Sequence, residues 1–162
     1  MIRLTETVNL ASQDVYEELL KLAYKCRLAS NDFHHMHLNA VGEKFNEIHT
    51  RSDDFYYRFN RLSDMFFELA KENGMYIENE SHAIEIVKDW TPHNEESYEY
   101  EQFLINSEKI MSAMVNDISA IQNMSGVTSD IQSELDNVKR DLTREVNYFT
   151  TSTLDIRHRT VS

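Results

Sequence analysis

Apolar positions recur every three or four residues in four long stretches of the chain, the period of an α-helix that buries one face. The first stretch, about 9–38, aligns Val15, Leu19, Leu22, Cys26, Ala29, Phe33 and His37, and Asn9 or Ser12 suits its N-cap. The second, about 43–73, carries Phe45, Ile48, Phe55, Phe59, Leu62, Phe66 and Leu69. The third is expected to open after Pro92, with Asn94 as N-cap and Glu95 and Glu96 facing the positive helix end. Leu104, Met111, Met114, Ile118 and Ile121 then carry it to about 123. The fourth opens at Ser129, with Gln132 spaced as its capping-box partner, and Ile131, Leu135, Val138, Leu142, Val146 and Phe149 form its stripe.

Breaks between these stretches fall at Gly42, Gly74, Pro92 and Gly126. The first and last connections are short, so helices one and two are antiparallel neighbours, and so are three and four. Residues 75–93 are too many for a turn and contain a helix-like segment of their own, SHAIEIVKDW. One long crossover between two helical hairpins predicts an all-α fold, a ferritin-like four-helix bundle whose crossover holds a short extra helix. A single domain is expected over 1–162, with short flexible ends at about 1–8 and 156–162.

Composition agrees with this reading. Three glycines and one proline among 162 residues are too few for the turns of a β-rich fold. The net charge of −12 makes duplex DNA and anionic membranes poor partners, because the surface repels phosphate. Cys26 is the lone cysteine, which excludes an intrachain disulfide and suits a small core residue in a reducing compartment. No apolar run follows a basic start and none is long enough to span a bilayer, so a cytoplasmic protein is expected.

Candidate chemistry concentrates on the second stretch. His49 and Asp53 are spaced i,i+4, as are Asp64 and Glu68, and at about 100° per residue all four share one face. Either pair alone is an ordinary solvated helix face. His37 lies about as far before Gly42 as His49 lies after it, so an antiparallel hairpin holds the two imidazoles at similar height. Imidazole with carboxylate is a donor set suited to iron, zinc or manganese. The two pairs are centred on positions 51 and 66, roughly 22 Å apart along a helix, which is too far for one ion bound at about 2.0–2.2 Å. Two copies packed antiparallel about a two-fold axis near Phe59 would set His49 and Asp53 of one against Asp64 and Glu68 of the other, giving two sites per dimer.

With that ligand order, His-x11-His-x3-Asp-x10-Asp-x3-Glu, the chain resembles the Dps family of ferritin-like proteins. His37, His49, Asp53, Asp64 and Glu68 match its pattern without a gap. Asn39, Gly42 and Phe45 fall where the family has HWNxxGxxF, and RDLTREVNYF in the last helix is similar to its RDLDKFLWF. The resemblance implies a hollow dodecamer with ferroxidase sites at two-fold interfaces: His37, His49 and Asp53 from one subunit, Asp64 and Glu68 from its mate. There two iron(II) ions would be oxidised, preferably by hydrogen peroxide, and ferric mineral stored, protecting against oxidative damage. It further implies an acid-lined pore through which ions enter, with Asp130 and Glu134 as candidates; helix-start acids also commonly complement the dipole.

Two departures change the expectation. Leu38 stands where the family often has Trp, so any redox role of that ring would pass to Tyr56, Tyr57 or Trp90. A lysine-rich tail is missing, so DNA binding is expected to be weak or absent. The alternative function is a DNA-binding, nucleoid-protecting protein with little iron chemistry. His34 and His35 sit beside His37; His34, one turn back, suits a solvent or interface position, and Asp54 a surface charge. Larger ferritins use Glu-x-x-His, and no histidine here has a glutamate three residues before it.

Overall fold

The computed structural model describes the backbone of residues 11–79 and 87–160 and side chains as far as residue 156. Among the described residues four helices follow in order: α1 (Gln13–Leu38), α2 (Phe45–Glu72), α3 (Tyr100–Gln122) and α4 (Ser129–Thr160). No strand occurs among the described residues, whose one bridge pairs Ala40 with Tyr98. The architecture is the expected ferritin-like bundle with its long crossover. SHAIEIVKDW lies largely outside the described residues, and residues 87–89 near its end form a turn.

The apolar stripes meet as their periods require. Val15, Leu19, Leu22, Phe33, Phe59, Phe66, Leu104, Met111, Ile118, Ile131, Leu135 and Phe149 belong to one buried core. Phe33 is its hinge of contact, with ring centroids 5.0 Å from Phe55 and 5.4 Å from Phe59. Between α1 and α2 two buried serines bond across rather than along their own helix. Ser30 Oγ donates to the Tyr56 carbonyl at 2.9 Å, and Ser63 Oγ to the Ala23 carbonyl at 2.8 Å. Small residues that satisfy their hydroxyls on the neighbour let the two backbones approach closely, which fixes the register of the hairpin.

Two turns hold the hairpins. Gly42 sits at φ +89° between α1 and α2, a conformation that L side chains resist. Gly126 is doubly constrained: its φ is +84°, and an added Cβ would lie 2.9 Å from Ser12 Cβ. Its carbonyl accepts from the Ser12 amide at 3.2 Å, tying the α3–α4 turn to the start of α1.

The start of α1 is as expected, with Ser12, one of the two candidate caps, accepting from the Val15 amide. Other helix ends differ from the expectations in instructive ways. Helix α3 begins at Tyr100 rather than just after Pro92, and Asn94 is no cap. The intervening residues are held extended: the Tyr98 amide donates to Asn39 O at 2.9 Å, and Tyr98 O accepts from the Val41 amide at 3.0 Å. Those bonds outcompete an extra helical turn. At α4 the Gln132 amide bonds the Thr128 carbonyl, and the Gln132 Oε1 atom is buried without a partner, so the Ser129 capping box does not form. Helix α4 runs through Thr160, carrying regular backbone into the stretch assigned to a flexible end. Phe45, expected in the core, is 42% exposed.

Candidate metal centre

The α1–α2 turn brings His37 and His49 face to face, with ring centroids 3.7 Å apart and planes inclined by 24°. Each ring is tied to the backbone of the other's residue. His37 Nδ1 lies 2.9 Å from the His49 carbonyl, and His49 Nδ1 lies 3.1 Å from the His37 carbonyl. A carbonyl oxygen only accepts, so both Nδ1 atoms carry the proton, and in each neutral ring the Nε2 lone pair is the one left for a ligand. Metal-binding histidines are commonly oriented by such a second bond. Phe45, exposed though it is, stacks on the outer face of His49 at 5.1 Å.

Asp53, one turn beyond His49, closes this half-set, its Oδ1 4.0 Å from His37 Nδ1. The separation exceeds a hydrogen bond, and the carboxylate is 43% exposed. Asp64 and Glu68 are on the same helix but further along, both exposed. The chain therefore gathers His37, His49 and Asp53, and keeps Asp64 and Glu68 apart from them. Among the described residues no three His, Cys, Asp or Glu side chains of one chain lie close enough to hold a metal.

Two neighbours, Arg27 and Asn60, carried no signal in the sequence. Arg27 of α1 reaches Asp64, with Nη2 2.9 Å from Oδ1, and its Nη1 bonds Asn60 Oδ1. His34 is exposed and stacks on Tyr56 at 4.7 Å. His35 turns the other way, with Nδ1 2.8 Å from the buried Tyr98 hydroxyl. Leu38 is 65% exposed and Asp54 lies on the surface. Asp130 and Glu134 are exposed near the start of α4.

A second polar cluster lies beside the first. Asp32, 3% exposed, accepts from the Trp90 indole N–H at 3.2 Å and the His93 amide at 3.3 Å. Burial pushes its carboxyl up to about 7, against the lowering effect of those two hydrogen bonds. Burial also lowers the nearby His93 imidazole. Burial and then the Asp117 charge push the Cys26 thiol well above its usual range, consistent with an inert core residue.

No family model matches the chain, and no curated protein matches its sequence. Solved structures do match its shape. Antigen TpF1 from Treponema pallidum aligns with a TM-score of 0.79 at 12% identity, over 86% of this chain and 91% of that one. Dps from Microbacterium arborescens, in a high-iron form, gives 0.74 at 15% identity, over 88% and 97%. Dps from Mycobacterium smegmatis gives 0.75 at 18% identity, over 92% and 89%. The chain has the ferritin-like fold of the Dps structures. Near-complete coverage in both directions means that the likeness extends over all four helices rather than one hairpin.

Proposed function

We propose that this chain is a ferroxidase and iron-storage mini-ferritin. It oxidises iron(II), preferably with hydrogen peroxide, at two-iron sites shared between subunits, and holds the ferric product in a dodecameric cage in the cytoplasm. The observation that carries this reading is the His37–His49 pair, two imidazoles locked through Nδ1 with both Nε2 atoms left for an outside ligand. Asp53 stands beside them, and Asp64 and Glu68 wait on the far part of the same face. A two-fold partner laid antiparallel along α2 supplies the missing half to each site, so neither subunit is complete alone. Likeness in fold to two Dps structures, one in a high-iron form, supports iron as the substrate.

In this reading, His37, His49 and Asp53 bind one side of the metal substrate, and the mate's Asp64 and Glu68 bind the other. Carboxylates favour the ferric product, and neutral imidazoles complete the shell without adding charge. Two iron(II) ions give one electron each to a peroxide; its O–O bond breaks, and with two protons the products are two iron(III) ions and two waters. Taking both electrons in one site releases no hydroxyl radical. Asp130 and Glu134 give incoming cations an acidic approach.

The test combines native mass with stopped-flow oxidation of anaerobic iron(II). A large homo-oligomer consuming about two irons per peroxide is expected, as for a paired-metal site. A monomer with no iron oxidation would sink the proposal. The DNA-protecting alternative requires a gel shift at low salt, which a chain of charge −12 is expected not to give.

A further inference from the structure

We propose that Arg27 is a positioning residue for metal, fixing the carboxylate of Asp64 so that one oxygen is committed to the protein and the other is presented to the ion. This inference rests on the metal-site reading above. Asp64 is 65% exposed, and a free carboxylate on a helix surface samples several rotamers. Arg27, on α1, removes that freedom. Its Nη2 donates to Asp64 Oδ1 at 2.9 Å, while its Nη1 donates to Asn60 Oδ1 at 2.5 Å. Asn60 and Asp64 are one turn apart on α2, and the planar guanidinium spans both from the neighbouring helix. Only 28% of the Arg27 side chain is exposed, so its stem is packed while its head is aimed.

The two partner-facing carboxylates therefore differ. Asp64 is held in advance, whereas Glu68 has no hydrogen bond or ion pair among the described residues and can swing to meet the metal. With Oδ1 taken by the guanidinium, Asp64 binds as a terminal ligand through Oδ2. A carboxylate already hydrogen-bonded from behind loses less freedom when it coordinates, which raises affinity. The guanidinium also repels a cation, but the Asp64 end of the pair is open to solvent, where screening weakens that opposition.

Zinc titration calorimetry on the assembled protein tests this, using a redox-inert divalent probe. Arg27→Ala is expected to weaken zinc binding by about 10–100-fold, the usual effect of losing a ligand's supporting partner. Arg27→Lys, which keeps charge and stem but cannot span Asn60 and Asp64 together, is expected to fall between; it also keeps the test open if Arg27→Ala disturbs assembly. In an Asp64→Asn background, Arg27→Ala should cause no further loss, which a merely structural role would not produce. Unchanged or tighter zinc binding in both Arg27 variants, or an equal loss without the Asp64 carboxylate, overturns the proposal. Zinc binding that is insensitive to His49→Ala overturns the metal-site reading instead, and this inference with it.

Discussion

Two clusters of imidazole and carboxylate groups grow from the last two turns of α1. In one, Asp32 receives Trp90 and His93 from the crossover, and His35 meets the Tyr98 hydroxyl. In the other, His37 faces His49 with Asp53 close by. Residue types are alike, but the partners differ. The first cluster spends its hydrogen bonds on its own chain and pins the crossover against α1. In the second, the chain satisfies Nδ1 of each histidine and leaves the Asp53 carboxylate 43% exposed. A polar cluster closed on itself is a fastening, and one that is oriented but incomplete is the candidate for a site.

The largest expected effect lies in the open cluster. His49→Ala should cut peroxide-driven iron oxidation by more than about 100-fold, beyond what losing a supporting partner costs, while thermal stability stays close to that of the unsubstituted protein. Activity retained within a few-fold would erase the distinction between the clusters.

The converse holds for the closed cluster. Asp32→Ala strands the Trp90 indole N–H and the His93 amide, at about 1–3 kcal/mol for each unsatisfied donor. Urea unfolding should register a loss of about 3 kcal/mol, with iron oxidation per folded molecule unchanged. A variant as stable as the parent would show that Asp32 fastens nothing.

Acidity separates the clusters next. The Asp32 carboxyl rises from 3.8 when unfolded to about 7 in the fold, so folding favours its neutral form. Its contribution is full below about pH 4 and is lost as pH climbs through 7. The melting-temperature difference between the parent and Asp32→Asn should therefore fall over that window and level off on both sides. A difference that is flat, or that grows with pH, contradicts the assignment.

The smallest effect belongs to His35, which stands in sequence between the clusters. His35→Gln should cost about 1 kcal/mol through the bond to Tyr98 and leave iron oxidation untouched. A marked loss of oxidation would place His35 in the open cluster after all.

Much of the helical framework was legible from period alone. The stripes on the first, third and fourth stretches are buried as expected apart from the half-buried His37 and Val146, since a helix with one apolar face has one stable way to hide it. The meeting of His37 and His49 was legible as well, because a short turn fixes equal heights on the two strands of the hairpin. Helix starts were less so. Asn94 has the chemistry of a cap, yet Tyr98 bonds to the end of α1 and delays α3 to Tyr100, a contact between segments far apart in the chain. Phe45 has the look of a core residue, but it lies beside the open cluster and covers His49 instead. Arg27 and Asn60 carried no signal, since an arginine ten residues before a histidine points nowhere until α1 and α2 are aligned.

By itself the sequence determined the number of long helices, their pairing and which side chains share one face of α2, because local period and turn length act over a few residues. Only the tertiary structure decided which nitrogen of each histidine is left open, which carboxylate is held, and which polar cluster is sealed. Those outcomes depend on hydrogen bonds of about 3 Å between separate segments, and their geometry exists only once the helices have packed.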